Sequence, residues 1–137
     1  MGGKPIGQRQ QICFCLALLI FVSGCGLFQE SNRRRDLNEA LVRGRQALAR
    51  GDYDGGLRAF QNVIIISQGQ PPSDAANYNL GVVHAHPQNP QRDRHKALAS
   101  FNRVLSQYPE SPWAEPAKLW IALVNEIDAT NLEIERT

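Results

Sequence analysis

Charge of one sign is not in excess in this sequence: the formal net charge is +2 over 137 residues. Two basic residues, Lys4 and Arg9, precede the longest apolar run, and the other thirteen are matched by thirteen acids. A neutral body lacks the basic surface that neutralises phosphate backbones, which excludes nucleic acid as an expected partner. Apolar runs of membrane-crossing length are missing too. Ile12 to Val22 (ICFCLALLIFV) is eleven residues, against the ~20 needed to cross about 30 Å of hydrocarbon. Cysteine is scarce. Cys13 and Cys15 lie inside that run, so Cys25 alone remains outside it and no internal disulfide is expected there. Alternating strand patterns are absent as well. There is no glycine-rich phosphate loop, and no serine sits in a glycine elbow. His84-x-His86 has no cysteine or suitably spaced carboxylate beside it, which argues against a metal site. The expectation is a protein without catalytic residues, metal or cofactor.

What is present begins with an address. Met1 to Gln11 is polar and basic, the apolar run follows, and the small residues Ser23 and Gly24 come next. That order is the n-, h- and c-region order of a secretory signal peptide. Val22-Ser23-Gly24-Cys25 resembles the lipobox of bacterial lipoproteins. The resemblance implies cleavage before Cys25, acylation of its thiol and amine, and attachment to a membrane, each buried methylene contributing about 0.8 kcal/mol. Gly26 stands where an aspartate signals inner-membrane retention, so the expected location is the outer membrane, facing the periplasm. The domain reading is a signal peptide over 1–24, a lipidated tether over 25–35 and a helical body over 36–137. Arg33-Arg34-Arg35 reads as a solvated charge run at a helix entry.

The body carries helical periodicity. Leu37, Ala40, Leu41, Ala47 and Leu48 form one stripe, and Leu57, Phe60, Val63 and Ile64 form a second, split by Gly51-Asp52-Tyr53. Asp52 and Asp54 read as turn and cap residues rather than paired acids. Ser73 reads as an N-cap for Asp74–Ala85. A loop rich in proline, glutamine and asparagine, His86–Asp93, separates that helix from Arg94–Gln107. Tyr108-Pro109 stops the latter, because proline pushes the preceding residue out of helical conformation. Ser111 and Pro112 open a long last helix, from Trp113 to about Glu135.

The layout returns at a period of 34 residues or slightly more, as in helical repeat arrays. Ala40, Gly44, Tyr53 and Phe60, then Leu80-Gly81, Ala97, Phe101 and Pro109, resemble the signposts of the tetratricopeptide repeat, with Gly56 at the usual alanine position. The second unit departs from the pattern in a longer inter-helix turn. The third, with Ala117 and Trp120 in register, has only its first helix. The fold class expected is therefore all-α, with about two and a half tetratricopeptide-like hairpins in five helices.

Cys25, GDYDGGLRAFQNVI and FNRVLSQYPESPWAEPAKLWIA together are similar to the tetratricopeptide lipoproteins of the outer membrane. That group includes the lipoprotein subunit of the β-barrel assembly machinery and the Tol-linked periplasmic coordinator. The resemblance implies a lipid-anchored adaptor that binds another envelope protein or peptide segment through a groove. Asn38, Leu41 and Arg45, Tyr78 and Val82, and Lys118 and Ile121 would face that groove from the first helix of each unit. Arg45 and Lys118 would clamp a carboxylate, with Tyr78 as an amphipathic contact. A second reading is a pilotin-like lipoprotein that carries a secretion or pilus component to the outer membrane. Apolar residues of the last helix, Leu119, Leu123, Ile127 and Ile134, leave a stripe for a dimer or a larger partner; the oligomeric state is left open.

Overall fold

The computed structural model describes residues 30–134 and 136. The signal-peptide region, with Val22, Ser23, Gly24 and Cys25, lies outside the described residues. The chain divides into two units, 1–36 and 37–137. In the first, residues 30–36 are helical and exposed, and Arg34 Nε lies 3.1 Å from Glu30 Oε1 one turn away. Residues 30–35 of the segment expected as a tether are therefore helical, and the arginine run is exposed.

The second unit is all-helical among the described residues. Helix α1 covers residues 37–49 of this unit and is in the core from Leu37 onward. It is followed by α2 (Tyr53–Ser67), α3 (Ser73–Ala85), α4 (Arg94–Gln107) and α5 (Ala114–Ile134). Successive helices pack on one another, α2 with α3, α3 with α4, and α4 with α5. Their apolar stripes are those read from the sequence: Leu37, Leu41, Phe60, Val63, Leu80 and Val83 make one core cluster, and Ala97, Phe101, Val104 and Ala117 a second. Trp113 packs against both.

Two glycines set how closely the helices approach. A Cβ built on Gly44 would lie 2.6 Å from the Phe60 ring, and one on Gly81 would lie 2.5 Å from the Phe101 ring. Any side chain there would drive α1 from α2, or α3 from α4, since interiors are packed at crystal density. The same aromatic-over-glycine contact thus occurs in both hairpins.

Local chemistry fixes the ends. Asp52 Oδ1 accepts from Gly55 N at 2.8 Å and caps α2, which confirms its turn-and-cap reading. Gly51 supplies the positive φ of 77° that the α1–α2 turn requires. Asp93 caps α4 through Lys96 N at 3.0 Å, and α4 ends at Gln107, immediately before Tyr108-Pro109. Ser73 differs from its expected role. It is the first residue of α3 rather than its cap, fully buried, with its hydroxyl hydrogen-bonded to that of Ser67 at the end of α2. The helix α5 starts at Ala114, one residue later than read, and Ser111 Oγ accepts from Trp113 N while donating to Asp74 Oδ2 at 2.6 Å. The α3–α4 loop is held from within: Asn89 is buried and its Nδ2 donates to Val83 O at 2.9 Å.

Candidate partner-binding face

Trp113, in the turn before α5, lies against side chains of α1 and α3. Helix α1 contributes Arg45, whose guanidinium carbon lies 5.4 Å from the centroid of a Trp113 ring. That is cation–π distance, a contact of about 0.5–1 kcal/mol when exposed. Helix α3 contributes Tyr78, whose ring centroid is 4.8 Å from that of Trp113 and 5.9 Å from that of Phe101. Helix α5 contributes Trp120, which stacks on Phe101 at 5.8 Å and 9° and donates from Nε1 to Tyr78 Oη at 3.1 Å. Buried Phe101 of α4 is the floor under Tyr78 and Trp120.

The face exists because of how each helix is pinned. Gly44 and Gly81 draw α1 and α3 onto their partners, which orients Arg45 and Tyr78. Asn77, one residue before Tyr78, is buried; its Nδ2 donates to Ser73 O at 2.8 Å, and its Oδ1 accepts from Arg103 at 3.4 Å. The Ser111–Asp74 hydrogen bond links the start of α5 to the start of α3 and holds Trp113 beside Tyr78. Rings fixed in this way are an amphipathic platform: apolar faces for side chains, with the Arg45 cation beside them for an acid.

Of the groove residues read from sequence, Arg45 and Tyr78 meet through Trp113. Asn38 is exposed on α1, seven residues before Arg45 and so two turns along the same face. Lys118 is exposed on α5 and pairs with Glu115 Oε1 at 2.6 Å, a pair one turn apart on its own helix. Leu41 is not a groove residue. It is 4% exposed and packs in the first cluster, because α1 turns its Leu37–Leu41 stripe toward Phe60 and Val63. Val82 and Ile121 are half-buried against the second cluster. The sequence reading missed Trp113 and Trp120 as the centre of the face. The available signal was two tryptophans seven residues apart, although Trp113 lies in the turn before α5 and only Trp120 is on the helix.

The two histidines of His84-x-His86 serve different surroundings. His86 Nδ1 is 3.0 Å from Tyr53 Oη, which ties the α3–α4 loop to the start of α2. His84 Nδ1 is buried without a hydrogen-bond partner. Burial pushes the His84 pKa below the ordinary 6.5; nearby Lys96 lowers it further, and Asp93 opposes the shift. Among the described residues no three His, Cys, Asp or Glu side chains gather as a metal site. No described helix is long and apolar enough to cross a membrane. No family model, curated protein or solved structure matches this chain.

Proposed function

We propose that this protein is a lipid-anchored cell-envelope adaptor, built of tetratricopeptide-like hairpins, that captures a polypeptide partner on the face formed by α1, α3 and α5. The observation that carries the reading is the continuous Arg45–Trp113–Tyr78–Trp120 array. Aromatic side chains and arginine are the residue types over-represented at binding hot spots. The repeat reading draws support from the Gly44–Phe60 and Gly81–Phe101 contacts, which give both hairpins one packing rule. The anchor rests on the lipobox sequence at Cys25, and the outer-membrane, periplasm-facing location on the Gly26 that follows it. In this reading the partner is an envelope protein, or a segment of one, that offers an acidic group beside apolar side chains. The protein performs no chemistry of its own.

The test is in-cell crosslinking from the Arg45 face, followed by mass spectrometry, for the wild type and for Arg45→Glu combined with Tyr78→Ala. Loss of one specific crosslinked partner, with circular dichroism unchanged, is the expected result. An identical set of partners for the double variant overturns the assignment of the face. Anchoring is tested separately: Cys25→Ala is expected to move the protein from the membrane fraction to the soluble one.

A further inference from the structure

Helices α3 and α5 share a register. Buried Ser73, Ala76 and Val83 of α3 have the same spacing as buried Ala114, Ala117 and Val124 of α5. Ala76 and Val83 join Phe60 and Val63 of the preceding helix α2, and Ala117 in the same way joins Phe101 and Val104 of the preceding helix α4. Another face of α3 receives the helix that follows it: Tyr78 and Val82 pack on the Phe101 cluster, and the Phe101 ring lies over Gly81. In the shared register Tyr78, Gly81 and Val82 correspond to Leu119, Ala122 and Leu123 of α5. No element of the described chain covers these three. Leu119 is 69% exposed, Leu123 is 50% exposed, and Ala122 is exposed as well. Helix α5 thus repeats the surface on which α3 holds a second helix, and in α5 that surface is apolar and open.

We propose that this face of α5 takes an amphipathic helix of a partner protein, one that presents phenylalanine with a small residue four positions before it and valine three after. The two helices that occupy such a face within this chain select that pattern. They carry Gly56, Phe60 and Val63 in α2, and Ala97, Phe101 and Val104 in α4, all buried. Each phenylalanine lies over the small residue of the helix it covers, Phe60 over Gly44 and Phe101 over Gly81. Ala122 holds that place in α5. Its methyl makes the socket shallower than glycine does, and a helix that no turn ties to α5 is free to settle further out. A folded second copy does not supply the pattern, because Phe60 and Phe101 are both 0% exposed. Laying the apolar stripe of a helix along an apolar face is a recurrent mode of recognition. Leu119, Ala122 and Leu123 are not part of the Arg45–Trp113–Tyr78–Trp120 array, so the proposal stands or falls apart from the face described above.

The experiment uses the full chain in detergent and a fluorescein-labelled peptide with the α4 sequence, Arg94–Gln107, which carries the pattern at Ala97, Phe101 and Val104. Anisotropy is expected to rise saturably, and Phe101→Ala in the peptide to weaken binding about tenfold. Short free helices are marginal in water, which lowers both affinities and leaves their comparison intact. In the full chain, Ala122→Leu fills the socket and is expected to weaken the unaltered peptide about tenfold as well. Leu123→Glu is expected to abolish its binding. Both substituted residues are exposed, and circular dichroism of each variant checks the fold. No saturable binding, or equal binding of the two peptides, overturns the proposal. Binding that Ala122→Leu leaves unchanged assigns the peptide to exchange with α4 in its own hairpin and overturns it too. A dimer in sedimentation that Leu123→Glu dissociates, without peptide binding, assigns the face to a second copy and overturns the partner helix.

Discussion

At the scale of single residues, the two glycines beneath phenylalanines are the most exacting positions in the chain. Gly81→Ala places a methyl 2.5 Å from the Phe101 ring, so the buried ring or the two helices must shift to relieve the overlap. Overpacking of this kind costs about 1–3 kcal/mol. Chemical denaturation is expected to show that loss for Gly81→Ala, and a smaller one when Phe101→Leu is added. His84 makes a second prediction. Its folded-state pKa lies below 6.5 because burial disfavours the imidazolium. The unfolded chain therefore binds the proton more readily, and stability is full above the unfolded value and falls as pH drops from about 6.5 toward the folded one. Thermal melts at pH 7.5 and 5.5 are expected to show a lower midpoint at the acid end. That difference is expected to shrink in His84→Gln. Equal differences in the two proteins would remove His84 as the cause.

At the scale of helices, most of the architecture was legible because local rules and packing agree. The stripes on α1, α2 and α4 are buried where periodicity put them, and Asp52 caps α2 from the turn in which it was read. Asp52→Ala is accordingly expected to cost about 1 kcal/mol, measured as a shift in the denaturation midpoint at constant slope. The misreadings have physical reasons. Ser73 has the chemistry of a cap, yet its hydroxyl is turned into the core toward Ser67, and a tertiary contact overrides the local preference. Leu41 was placed in a groove by its repeat position, but its burial is set by Phe60, nineteen residues away along the chain. The candidate face was half legible. Arg45 and Tyr78 were named, but Trp113, which joins them, lies in the turn before α5, and only long-range packing brings it there. The path of the α3–α4 loop was not legible, because it is fixed from within by the buried Asn89.

At the scale of the whole helical unit, the two core clusters are bridged by one side chain. Trp113 packs against the first through its contact with the α1–α3 side and against the second through Tyr78 and its neighbours. A side chain packed on both clusters couples them, so removing it lowers cooperativity as well as stability. Trp113→Ala is expected to lower stability by about 2 kcal/mol, less than the 3–5 typical of a fully buried tryptophan because Trp113 is only half-buried. Unfolding followed by helix content and by tertiary fluorescence is also expected to lose coincidence. Coincident curves would show that the clusters remain coupled by other contacts.

The two tryptophans also make the molecule its own optical instrument. One indole lies under a guanidinium; the other is stacked on Phe101 and hydrogen-bonded to a phenol. The chain has no third. Trp120→Phe therefore leaves an emitter that reports on the surroundings of Arg45, and Trp113→Phe leaves one that reports on the packing of α5 against Phe101. Changes at the two ends of the face become separable by colour and intensity, with no attached dye.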